Sequence, residues 1–300
     1  MNPIEQARLD QQYAKLVVVL KLQGKARKTI ESYSFSLRRL AGYFDRCPDD
    51  LTVEELTRYF CHLIDAHSWS LIKVDRNGIR LYYQHVLGVA LPWMKLLRPP
   101  AVKHLPDLLT RDEIARIIRL TRVPRFQTFW LVTYSMGLRL GETLSLGIAD
   151  IDSARMLVHI RDGKGRKDRF VVLPELALHV LRKEWLTHRH PVLIFPSRQT
   201  PPGIPAQQHM DRGTTQRAFA QALRDAGIHK KVSIHTLRHS YATHLIEAGL
   251  NLCSVQAQLG HNSPDTTARY VRMTDPVQHD CRGRVNEIVA PLAALFDLGR

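Results

Sequence analysis

The sequence predicts a mainly α-helical protein with one small antiparallel β-sheet (α+β), in two parts joined by a basic linker. Three observations predict it. Apolar residues recur at spacings of three and four through most of the 300 residues. Strand-like runs are confined to the two sides of one polar turn at 162–168. The stretch Leu97 to Pro106 (LRPPAVKHLP) carries prolines at 99, 100 and 106, and no helix continues through it.

The elements follow in chain order. Residues from about 4 to 22 show helical spacing, and Gly24 breaks the run. A second helix is expected from Arg27 to Asp45, with Ile30, Tyr33, Leu37, Leu40 and Phe44 on one side. Thr52 followed by Glu55 reads as a capping box that opens a helix to about Ala66. A fourth helix is expected from Leu71 to Leu91, weakened by Gly78 and Gly88. After the linker, Thr110 and Glu113 repeat the capping signal and open a helix at 111–120, followed by one at 125–136 that ends at Gly137. Met156–Ile160 and Arg169–Leu173 read as two strands, and a helix then runs to about Thr187. Pro201, Pro202, Gly203 and Pro205 mark a loop. Helices are expected at about 212–226, 236–248, 252–259, 264–272 and 284–296. The division is residues 1–98, a linker at 99–106, and residues 107–300.

Composition narrows the function. The 43 Lys and Arg residues against 28 Asp and Glu give a net charge of +15. Such an excess repels itself unless something anionic binds, so nucleic acid is the first candidate partner and an anionic membrane surface the second. The longest apolar runs fall far short of the roughly 20 residues that a membrane span needs, and no membrane partner is expected. The N-terminus MNPIEQARLDQQ has no basic start followed by an apolar core, so no signal peptide is read. Cysteines at 47, 61, 253 and 281 make neither a CxxC metal site nor a disulfide framework, which points to a reducing cytoplasmic setting.

Chemistry concentrates in four places. In IHTLRHSYATHL (234–245), Leu237, Tyr241, Leu245 and Ala248 form an apolar stripe, while His235 and Arg238 share another face near the helix start. A helix N-terminus, an Arg fork and a His suit a phosphate, although HxxR taken alone is matched by many solvated surfaces. A zinc-protease reading fails, because Thr236 stands where HExxH needs its Glu. LGHN at 259–262 is followed by TTARY at 266–270. In SMGLRLGE (135–142), Arg139 stands in an apolar stretch and needs an anion, either Glu142 or a phosphate. In the turn Asp162 to Asp168, Lys164 sits between two glycines.

Together, GLRLGE (137–142), GKGRKDR (163–169), HTLRHSYATHL (235–245), LGH (259–261) and Tyr270 resemble the tyrosine recombinase (phage integrase) family. The helical first hundred residues and the linker resemble that family's core-binding domain by arrangement only. The resemblance implies a site-specific DNA recombinase, Xer-like or from a mobile element, that needs neither cofactor nor metal. Tyr270 would be the nucleophile that forms a 3′-phosphotyrosyl bond. Arg139 and Arg238 would clamp the non-bridging oxygens, and planar forks suit that task better than Lys. His235 and His261 would donate to the phosphate or carry the tyrosine proton. Lys164 would protonate the departing 5′ oxygen, with Lys167 the alternative. Glu142 would support Arg139, while His239 and His244 would support the site from behind or simply pack. The partners implied are double-stranded DNA at specific sites and three further copies of the chain in a tetramer on DNA. The setting implied is the bacterial-type nucleoid, and the helix at 284–296 would dock on a neighbouring copy, with packing on its own domain the alternative. Two rivals remain at this level: relaxation of supercoils by a type IB topoisomerase, and a basic DNA-binding regulator without chemistry.

Overall fold

The computed structural model describes residues 1–100, 107–161, 168–198 and 208–260. The chain divides into two compact units, Met1–Lys103 and His104–Arg300. The expected helices at 264–272 and 284–296, the loop at 201–205 and the tip of the hairpin lie outside the described residues.

The first unit is helical. Helix α1 spans Pro3–Leu22, opened by the Asn2 side chain, which accepts the Glu5 N–H at 2.8 Å, and by Pro3 in the first turn. Helix α2 spans Arg27–Phe44. Helix α3 spans Val53–Ala66, and its capping box is present in both directions: Thr52 Oγ1 accepts the Glu55 N–H and Glu55 accepts the Thr52 N–H. Helix α4 spans Trp69–His85. It stops short of the expected Leu91, because the chain turns at Gly88 (φ 72°) and Val89 donates back to Tyr83. A 3-10 turn at Pro92–Leu96 follows instead.

Leu16, Leu20, Leu37, Leu40, Phe60, Ile79 and Tyr82 are among the residues of its core. Helices α2 and α4 approach so closely that a Cβ on Gly78 would lie 2.6 Å from the Tyr33 carbonyl oxygen and closer still to Ser36 Oγ. Asp75 of α4 is fully buried. It accepts from Tyr59 Oη of α3 at 2.8 Å and from Arg39 of α2, so one carboxylate pins three helices.

The second unit is built around helix α6, Pro124–Ser135, whose Phe129 and Trp130 are fully buried. Helix α5, Arg111–Leu120, precedes it, with Thr110 and Glu113 in the expected capping box. Two short elements escaped the sequence reading: helix α7, Leu140–Leu144, and a 3-10 turn at Ile148–Asp150. The sheet has three strands, not two, in the order β1 (Ile151–Asp152), β2 (Leu157–Ile160), β3 (Arg169–Val172). Both pairings are antiparallel, with Ile151 opposite Val158 and Ile160 opposite Arg169. Helices α8 (Glu175–Leu186), α9 (Arg212–Asp225), α10 (Ile234–Glu247) and α11 (Leu252–Leu259) complete the described part. Leu237 of the α10 stripe is buried and Tyr241 half-buried, but Ala248 is exposed as the C-terminal cap of α10. Among the described residues, no helix is long and apolar enough to cross a membrane.

Candidate active site

The site begins where α6 ends. Gly137 adopts φ 59°, and the Leu138 N–H reaches back to the Thr133 carbonyl at 3.0 Å. A Cβ at residue 137 would lie 2.5 Å from Tyr241 Cδ1, so both the left-handed turn and the space demand glycine. This turn delivers Arg139 in an extended conformation as the N-terminal cap of α7. Glu142, in the first turn of α7, accepts the Arg139 backbone N–H at 2.9 Å and the Arg139 Nη1 at 2.6 Å.

Arg238 arrives from α10 and is only 1% exposed. Its Nη1 donates to the Gly137 carbonyl at 2.8 Å, and its Nη2 to the Leu259 carbonyl at the end of α11. Nη1 also lies 3.8 Å from Glu142 Oε2. The sequence offered Glu142 or a phosphate as the anion for Arg139, and the carboxylate is one partner that the fold supplies. His235, one turn earlier on α10, is exposed as a residue. Its ring nevertheless titrates below the ordinary histidine value, because local crowding disfavours the cation and the charges of Arg238 and Arg139 add to that. The His235 and His239 rings meet edge to face with centroids 4.5 Å apart.

The structure therefore brings Arg139, His235 and Arg238 into one neighbourhood with Glu142 at its centre. Lys164, Lys167, His261 and Tyr270 lie outside the described residues. His244 Nδ1 lies 2.8 Å from Tyr134 Oη.

One residue of this cluster was not singled out from the sequence. Arg169, at the start of β3, donates two parallel hydrogen bonds to Glu142: Nη1 to Oε1 at 2.9 Å and Nη2 to Oε2 at 2.7 Å. Its Nε donates to the Gln258 carbonyl at 3.1 Å. The signal was present in the alternation of β3, which puts Arg169 on the same side as the buried Val171 and Leu173. Burial alone pushes the Glu142 carboxyl up, but hydrogen bonds and charge from Arg169, the Arg139 N–H and the Arg139 charge outweigh it and hold the carboxyl down at about 2. Glu142 is therefore a permanent anion, ringed by three guanidiniums. The cluster as a whole remains cationic and suits a bound phosphodiester.

The sequence model of the phage integrase family matches residues 107–276, and that of the phage integrase N-terminal SAM-like domain matches residues 13–93. The chain belongs to the phage integrase family, the tyrosine recombinases. An integrase/recombinase of Escherichia coli is 33% identical over 304 aligned positions, covering 85% of this chain and 90% of that protein. Tyrosine recombinase XerA of Pyrococcus furiosus is 31% identical over 266 positions, covering 85% and 87%. The crystal structure of a XerA recombinase aligns at TM-score 0.51 and 27% identity over 92% of this chain and 98% of that one. A lambda integrase dimer bound to a core site aligns at TM-score 0.70 and 18% identity over 87% and 94%, a likeness of fold. The family assignment, the helical fold with a small sheet and the enzyme class read from the sequence all stand. This recombinase is an enzyme of site-specific recombination.

Proposed function

We propose that this recombinase cuts and rejoins double-stranded DNA through a 3′-phosphotyrosyl bond on Tyr270, with Arg139, Lys164, His235, Arg238 and His261 around the same phosphate. The observation that carries the reading is the convergence of Arg139 from one motif with His235 and Arg238 from a distant second one on one cationic cluster.

In the proposed reaction the Tyr270 hydroxyl attacks the phosphorus, a phosphorus–tyrosine oxygen bond forms, and the bond to the 5′ oxygen breaks. The tyrosine proton passes to His235 or His261. The departing 5′ oxygen takes a proton from Lys164, with Lys167 as the alternative. The bond energy stays in the phosphotyrosine, so the reverse attack reseals a strand without ATP. Arg139 and Arg238 offset the charge that builds on the non-bridging oxygens. The downward pull on His235 keeps its imidazole neutral at pH 7, able to donate from one nitrogen and accept at the other. Three guanidiniums supply the positive charge here, so the chemistry is proposed to need no metal or other cofactor.

The partner proposed is DNA at specific recombination sites, in keeping with the charge of +15 and with lambda integrase and XerH structures that contain their sites. Assembly as a tetramer is proposed by analogy with the lambda integrase tetramer on a Holliday junction. The proposed setting is the bacterial-type cytoplasm, at the nucleoid. The test uses a nicked suicide DNA that traps the covalent intermediate. Wild-type protein is expected to form a denaturation-resistant adduct, and Tyr270→Phe to bind the same DNA without forming one. An adduct formed equally by Tyr270→Phe would remove Tyr270 from the role.

A further inference from the structure

Four N–H groups lie within 2.9 Å of the Glu142 carboxylate: the Arg139 backbone N–H, Arg139 Nη1, and Nη1 and Nη2 of Arg169. Arg169 donates to both oxygens from one guanidinium, whereas Arg139 reaches them from two separate groups, Nη1 to Oε1 and the backbone N–H to Oε2. Two parallel bonds fix the plane of a carboxylate, whereas a single bond leaves it free to pivot. Arg169 is itself held on several sides. Its backbone pairs with Ile160 across the sheet, and its Nε is bound to the Gln258 carbonyl. Its side chain passes over Gly260, where a Cβ would lie 2.6 Å from Arg169 Cδ. Gly260 ends α11 in the left-handed conformation (φ 62°), and the next residue in the chain is His261.

We propose that Arg169 is a positioning residue for strand cleavage: it locks the Glu142 carboxylate and joins the hairpin base, the start of α7 and the end of α11 into one frame. This rests on the active-site reading given above. Each of the three segments runs directly to a proposed catalytic group. The strand β3 follows the turn that carries Lys164, α7 follows Arg139, and α11 leads into His261. Without Arg169 the carboxylate keeps Arg139 Nη1 on Oε1 and the Arg139 backbone N–H on Oε2 but loses the fork that draws it toward β3, and Oε2 can then close the 3.8 Å to Arg238 Nη1. The Arg238 guanidinium, like that of Arg139, would then be bonded to a carboxylate in competition with the phosphate. A lysine at 169 cannot replace the fork, because one ammonium cannot reach both Glu142 oxygens and the Gln258 carbonyl in the same geometry.

The test compares single-turnover cleavage of the suicide DNA, DNA affinity and thermal stability for wild type, Arg169→Gln, Arg169→Lys, Glu142→Gln and the Arg169→Gln/Glu142→Gln double variant. Misplacement of reacting groups by about 1 Å costs on the order of 100-fold in rate. Arg169→Gln is therefore expected to slow cleavage by about that factor while DNA affinity barely changes, and Arg169→Lys to stay well below wild type. The double variant is expected to be no slower than the slower single variant, because both act through one carboxylate. Wild-type cleavage by Arg169→Gln, full rescue by Arg169→Lys, or losses that simply multiply would each overturn the proposal. If Arg169→Gln does not fold, Arg169→Lys decides: slow cleavage at wild-type stability and affinity supports the proposal, and wild-type cleavage refutes it. If wild type forms no adduct, or Tyr270→Phe still forms one, the active-site reading falls and this inference falls with it. If those controls behave and Arg169→Gln cleaves like wild type, only the inference fails.

Discussion

Replacing Glu142 by Gln tests the electrostatic centre of the molecule with an isosteric change. The carboxyl is held at about 2 against an ordinary 4.5. At about 1.4 kcal/mol per tenfold, that difference corresponds to about 3 kcal/mol of preference for the charged form in the folded state. The Glu142 side chain is only 8% exposed, so solvent screens little of this. The sign follows from the depressed value. The contribution is complete above pH 4.5, where the unfolded carboxyl is also ionised, and is lost as pH falls through about 2. Glu142→Gln should therefore destabilise the second unit by about 3 kcal/mol at neutral pH, or about 6–12 °C in Tm for a unit of this size. The gap should shrink progressively below pH 4.5 and largely close near pH 2. Calorimetry of both proteins across that range is the assay. Equal stability at pH 7, or a gap that does not change with acid, would refute the reasoning that the three guanidiniums hold this anion.

Other expectations test separate parts of the account. Gly78→Ala adds about 1 kcal/mol of helix propensity, yet its Cβ would meet the Tyr33 carbonyl at 2.6 Å. Chemical denaturation should show net destabilisation of the first unit, by about 1–3 kcal/mol as in other overpacked cores. The His235 ring should titrate below the ordinary 6.5, and Arg139→Met should move it upward, as read by NMR of the labelled imidazole. Cleavage should persist in excess chelator; complete loss restored by added metal would contradict a site charged by arginine and lysine. DNA affinity should fall steeply with salt, as counterion release requires, and a salt-independent affinity would argue against phosphate contacts.

Much of this architecture was legible in the sequence because its signals are local. Thr52 with Glu55 and Thr110 with Glu113 announce their helices by capping chemistry, and both boxes form. The end of α4 was not legible: Val86 to Leu91 is apolar enough to extend a helix, and the left-handed turn at Gly88 decides otherwise. Strand β1 has only two residues and no alternation to read, since its partner Leu157–Val158 defines it. In the site, Arg139, His235 and Arg238 could be picked out because their motifs carry them. Arg169 opens a strand directly after a run of basic turn residues and does not stand out among them, although its alternation with Val171 and Leu173 points it inward. That Glu142 serves three guanidiniums is a tertiary fact, because Arg169 and Arg238 come from distant segments.

The central claim is that Tyr270 becomes covalently joined to DNA. Mass spectrometric mapping of the peptide left on trapped suicide DNA tests it most directly. The account predicts a single modified peptide containing Tyr270, joined through a 3′ phosphate. An adduct on another residue, or attachment through a 5′ phosphate, would contradict it.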